Sequence, residues 1–176
     1  MIDIFDDEIT QMEENEARTD SIFSEAIQLK DPVRTLAKEC VTRSEDNSLE
    51  EIIDSFQRNS TSCVILTKNK KVSGIFTERD IVLNVLGRGL NFSESTIQKY
   101  MTPDPHTLRM GDPVSFALNM MVDGGFRHIP LVDKDNQPRG IISIMDIVEH
   151  LGYVFHKEVM NLPPSPLRKQ SKQEGG

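Results

Sequence analysis

A seven-residue phrase occurs twice in this chain: "GIFTERD" at 74–80 and "GIISIMD" at 140–146, 66 positions apart (140 − 74). Each has a glycine, two apolar residues, a hydroxyl residue, two variable positions and an aspartate. Internal repetition at such a spacing means two similar units, which restricts the fold more than any overall property of the chain.

The repeat extends to both sides of the phrase. In the first copy, Ser48 followed three residues later by Glu51 is a capping box, and Leu49, Ile52, Ile53 and Phe56 make the apolar stripe of a short helix. The β-branched "SCVILT", the polar "KNKK" and "VSGIF" then read as strand, tight turn and strand. In the second copy Asp112 is placed to cap a helix with Pro113 at its first position, and Val114, Ala117, Leu118 and Met121 supply the stripe. "HIPLVD", "KDNQ" and "PRGII" form the second hairpin. Thr77 and Ser143 each open a further helix, expected to stop at Gly87 and Gly152. The fold class is therefore mixed α/β, with strand, helix, strand, strand and helix in each copy. A unit of about 60 residues is marginal alone, so the copies are expected to share a core.

Expected boundaries are an acidic extension over 1–32, repeats over 33–92 and 93–155, and a disordered tail over 156–176. The chain of 176 residues carries 20 Lys+Arg against 28 Asp+Glu, a net charge of −8. Nine acids against the single base Arg18 place all of that excess within residues 1–25. Residues 20–30 could form a helix with Ile22, Phe23, Ala26 and Ile27 on one stripe. A balanced remainder without clustered Lys/Arg argues against nucleic-acid binding. Without an apolar run of about twenty residues no membrane-spanning helix is expected, and the acidic start is unlike a secretion signal. Cys40 and Cys63 make neither a metal spacing nor a disulfide framework, which fits a cytoplasmic protein. The histidines His106, His128, His150 and His156 stand in no metal-binding run, and nucleophile signatures are absent, so no enzyme chemistry is expected.

Two readings of the repeated phrase compete. In the plain one Thr77 with Asp80, and Ser143 with Asp146, only cap helices, each cap contributing about 1 kcal/mol. In the functional one the same geometry is a nucleotide cradle. The carboxylate accepts the two hydroxyls of a ribose, the helix start favours phosphate, and Gly74 or Gly140 lets a base or sugar approach the main chain. Cations are then required, and Arg127 and His128, just before the strand leading to Gly140, serve the second cradle. The first has neutral Thr61 and Ser62 instead, with Arg79 as its compensating cation.

Both helix-opening phrases, "RHIPLVD" and the joint "YMTPDP" at 100–105 together resemble a tandem pair of CBS domains, a Bateman module, over roughly 33–153. The resemblance implies two β-α-β-β-α repeats packed sheet to sheet with pseudo-two-fold symmetry, and clefts between them that take AMP, ADP, ATP or S-adenosylmethionine. It implies that Asp80 and Asp146 hold the ribose diol, with Thr77 and Ser143 near ribose or phosphate. Arg127 and His128 would meet phosphate, and Thr102 and His106 would border the base. A homodimer is expected, no cofactor is required, and the regulated protein must be another chain. The alternatives are a ligand-free dimerisation or interaction scaffold and a sensor of S-adenosylmethionine or of a cyclic dinucleotide.

Overall fold

A computed structural model describes residues 30–154. The acidic segment 1–25, nearly all of the 20–30 helix and the tail from 156 lie outside the described residues. The chain divides into two compact units, Gln28–Val148 and a second made of Met1–Ile27 with Glu149–Gly176. The first unit carries both repeats of the phrase.

After a 3-10 turn at Val33–Thr35, the first copy runs through β1 (Thr42–Ser44), α1 (Leu49–Asn59), β2 (Cys63–Lys68) and β3 (Lys71–Thr77). It closes with α2 (Glu78–Asp80), continued by a π-helical turn at Ile81–Val85. A second 3-10 turn, Ile97–Lys99, leads to β4 (Thr102–Pro103). The second copy has β5 (Leu108–Arg109), α3 (Val114–Gly124), β6 (His128–Val132), β7 (Pro138–Ser143) and α4 (Ile144–Val154). Strand, helix, strand, strand, helix is thus repeated.

The predicted capping box starts α1, with Ser48 Oγ accepting from Glu51 N–H and the Glu51 carboxylate accepting from Ser48 N–H at 3.0 Å. Two details differ from the sequence expectation. Pro113 is itself the N-cap of α3, because Asp112 is engaged one turn earlier, its Oδ2 accepting from Arg109 N–H at 2.7 Å. The last helix does not stop at Gly152 but runs to Val154. A helix-interior glycine costs only about 1 kcal/mol, which such a helix can absorb. Gly87, by contrast, is left-handed (φ 74°) beyond the π turn.

The strands form two sheets, ordered β1-β2-β3-β4 and β5-β6-β7. Alternation along β2 and β3 divides their side chains between two faces. Val64, Leu66 and Phe76 pack with Leu49, Ile52 and Phe56 of α1, while Ile65, Val72 and Ile75 pack against Val132 and Ile141 of the other sheet. That second contact is the shared core expected from the duplication.

The sheets also exchange edges. β4, at the start of the second copy and ahead of β5, pairs antiparallel with β3 of the first, Thr102 opposite Ile75 and Pro103 opposite Gly74. Lys38, at the start of the first copy and ahead of β1, bridges Ile141 of β7, with hydrogen bonds of 2.9 and 3.0 Å in the two directions. Each sheet is therefore completed by the opening stretch of the other copy. Ser62 and His128, equivalent positions 66 apart, meet at the symmetry axis, Oγ and Nε2 3.0 Å from each other.

Candidate functional site

The two phrases build nearly identical cradles. In the first, Thr77 N–H and hydroxyl donate to Asp80 Oδ2 at 2.9 and 2.7 Å, and Asp80 N–H returns a bond to Thr77 Oγ at 3.4 Å. In the second, Ser143 N–H and hydroxyl donate to Asp146 Oδ2 at 2.6 and 2.7 Å, with the return bond at 3.2 Å. The capping reading and the cradle reading thus use different atoms, because the cap consumes one carboxylate oxygen and leaves the other. The cap also engages the Asp80 and Asp146 N–H groups, so phosphate is not offered these donors and depends on side-chain cations.

Two cavities adjoin the cradles. The one beside Asp80 has a volume of about 390 Å³ and brings together Thr77, Arg79, Asp80, Thr102, His106, Arg127 and His128. The one beside Asp146, about 680 Å³, is lined by Ser143, Asp146 and, from the shared wall, Ser62 and His128. Arg127 therefore does not line the cradle that its sequence position suggests. Its carbonyl accepts from Ile144 N–H at 2.9 Å, at the start of the second motif's helix, while the residue lines the cavity of the first. The neutral Thr61 and Ser62 are no deficit of the first cavity, since the second copy supplies its cation. Arg79 does lie at the first cavity, anchored by an Nη1–H···O bond of 3.1 Å to Gly125 at the C-cap of α3.

Gly74 and Gly140 line neither cavity, contrary to the expected approach of a ligand to the main chain. A Cβ at Gly74 would collide with Met101 Sδ, and one at Gly140 would stand 3.0 Å from the Lys38 carbonyl oxygen. Gly140 makes room for the main chain of the exchanged Lys38 segment, whereas the neighbour at Gly74 is the flexible end of the Met101 side chain, just before β4.

Sequence reasoning also missed Phe126. Its ring stacks on His106 with centroids 5.5 Å apart and planes 20° from parallel, and both line the first cavity. The signal was an aromatic residue immediately before Arg127. His128 is held below its ordinary pKa by burial and then by the neighbouring Arg127, against the smaller opposing pull of Asp146 and Glu78. At neutral pH it is therefore an uncharged imidazole bonded to Ser62, and protonated His128 is not the phosphate cation.

Lys38 was not foreseen at all. Its Nζ pairs with Asp146 Oδ1 at 2.5 Å, across 108 positions of sequence (146 − 38). Burial acts to raise the Asp146 pKa, but Lys38 and the Ser143 hydroxyl and N–H outweigh it and hold the carboxyl below its ordinary value. An unfolded aspartate, with pKa about 3.9, takes up its proton first as pH falls. The pair thus stabilises the fold above that pH, and the contribution is lost as pH falls through the lower folded value. Lys38→Met should lower stability by about 1–2 kcal/mol at pH 7, toward the screened end because the Lys38 side chain is 61% exposed. In urea titrations from pH 7 to pH 3 the gap from wild type should begin to narrow below about pH 4. A constant gap would exclude the ion pair as its cause.

Residues 33–87 and 97–153 match the CBS domain family. The meiotically up-regulated gene 70 protein of Schizosaccharomyces pombe is 35% identical over 100 residues, covering 57% of this chain and 14% of that protein. An uncharacterized 17.7 kDa protein of Acidianus ambivalens is 36% identical over 95 residues, covering 54% of this chain and 56% of that one. The chain thus spans only part of these curated relatives. A solved CBS domain protein from Pyrobaculum aerophilum, complexed with AMP, superposes with a TM-score of 0.61 at 25% identity, covering 69% of this chain and 98% of that one.

Proposed function

The chain belongs to the CBS domain family, and from that premise we propose that it is a regulatory pair of CBS domains that binds an adenosine-containing ligand of the AMP, ADP or ATP class at the Asp80 cavity and signals to a partner protein. The observation that carries the reading is the convergence of three chemistries in one cavity of about 390 Å³, a size usual for small-molecule sites. Asp80 Oδ1 has no hydrogen-bond partner among the described residues and can accept a ribose diol. Arg127 and Arg79 supply cations for phosphate, and the stacked His106 and Phe126 offer an apolar edge to a base. The AMP complex of the Pyrobaculum protein supports the ligand class.

No catalytic step is required. The ligand acts by its differential affinity for two states of the protein or of its assembly. A second copy is the partner best suited to the apolar residues left outside by the π turn, Val82, Leu83 and Leu86, each about 60% exposed. The domain boundaries given above and a cytoplasmic setting belong to the same reading.

Thermal unfolding against AMP, ADP, ATP, S-adenosylmethionine and cyclic dinucleotides tests it. A ligand at about 100 times its Kd adds roughly 2.7 kcal/mol, and each kcal/mol moves the midpoint of a domain this size by about 2–4 °C. An upward shift of about 5–11 °C with an adenosine nucleotide is expected. No shift with any ligand would instead favour the scaffold reading, to which the complete capping boxes at Thr77 and Ser143 are equally suited.

A further inference from the structure

The two cradles share their capping geometry and differ at the outward carboxylate oxygen. Asp80 Oδ1 is open, whereas Asp146 Oδ1 is paired with Lys38 Nζ and the residue is only 6% exposed. The exchanged edge segments explain the difference. Lys38 stands opposite Ile141, the residue after the motif glycine, and Thr102 stands opposite Ile75, the same motif position in the other copy. Lys38 and Thr102 are thus structural counterparts, 64 positions apart (102 − 38), each lining the cavity beside its own cradle. One is a long cation that reaches the carboxylate. The other is a short neutral hydroxyl that leaves it open.

We propose that this position of the exchanged segment decides whether a cradle accepts a vicinal diol. Thr102 leaves the Asp80 cradle open and Lys38 closes the Asp146 cradle, so that one chain binds a single nucleoside ligand. The inference rests on the nucleotide reading above and adds to it the number of ligands and the residue that sets that number. A sugar entering the second cavity would have to displace the ammonium from a nearly buried carboxylate, exchanging an ion pair for hydrogen bonds from uncharged hydroxyls, and breaking such a pair is costly. It would meet that cost even though the second cavity is the larger of the two.

Calorimetric titration of the full chain with AMP tests the assignment. Wild type should bind one AMP per chain, and Asp80→Asn should weaken that site at least a hundredfold. Lys38→Thr should bind two, the additional site being lost again on Asp146→Asn. Thr102→Lys, at an exposed position that tolerates the longer side chain, should weaken the single site at least tenfold. The double exchange should leave one site, now sensitive to Asp146→Asn and not to Asp80→Asn. Carboxyl NMR supplies the control that the latch has opened, since the Asp146 titration must move upward in Lys38→Thr and stay in place in Thr102→Lys. Two sites in wild type, one site in Lys38→Thr, or undiminished binding by Thr102→Lys would each overturn the assignment while leaving the nucleotide reading intact. Absence of binding by AMP, ADP and ATP in every variant would overturn both.

Discussion

Asp80→Asn should lose about 10²–10⁴-fold in affinity for AMP while its unfolding midpoint moves by no more than about 4 °C. The amide oxygen of asparagine can still accept from Thr77 N–H and hydroxyl, as Asp80 Oδ2 does at 2.9 and 2.7 Å, so the helix start survives. What changes is the outward atom, from a charged acceptor to an NH₂ donor that opposes the hydroxyls of a ribose. Two charge-assisted hydrogen bonds at about 1.5–3 kcal/mol each give a loss of about 3–6 kcal/mol, which at 1.4 kcal/mol per factor of ten is the stated range. The remaining midpoint change is the loss of carboxylate charge at a helix start, about 1 kcal/mol or less, or about 2–4 °C. Calorimetry and thermal unfolding on the same samples check both halves. Unchanged affinity would remove Asp80 from the binding site, and a collapse of the midpoint would return the motif to a purely structural role.

The largest effect on stability belongs to the residue four positions earlier. Phe76→Ala should cost about 3–5 kcal/mol, lowering the midpoint by about 6–20 °C. Phe76 is fully buried on β3 and meets Phe56 edge to face, ring centroids 6.0 Å apart at 88°. Its removal leaves a ring-sized void between sheet and helix, among Leu49, Ile52, Val64 and Leu66, where backbone elements on both sides limit collapse. Against a typical domain stability of about 5–15 kcal/mol this is a large share. Phe76→Leu should recover most of the loss in urea denaturation. A cost below about 1 kcal/mol would mean that the first copy does not draw its stability from this cluster.

What could be read from the sequence was local. The capping box at Ser48 and Glu51, the hairpin strands and the helix starts at Thr77 and Ser143 depend on residues within a few positions of one another, and the 66-residue offset aligned one copy with the other. The relation between copies depends on edge exchange, for which no short-range pattern exists. For that reason Arg127 was assigned to the second motif, beside which its backbone indeed lies, although the cavity it lines belongs to the first. The same long-range pairing hid Lys38 from view and gave Gly140 a purpose in chain crossing that local reasoning assigns to a ligand. Gly152 failed in the other direction, since a local stop signal was overridden by a helix that continues through it.

The exchanged edges also bear on how the molecule could be taken apart. Severing the connection between the copies around 88–95 would not yield two finished halves. The fragment holding β3 would lack β4, and the fragment holding β7 would lack the Lys38 segment, so each would present a bare row of main-chain donors and acceptors along its outer strand. Such rows recruit whatever strand is available. The duplication is therefore interlocked as well as symmetric: each half holds the hem of the other, and they can only be made, and kept, as a pair.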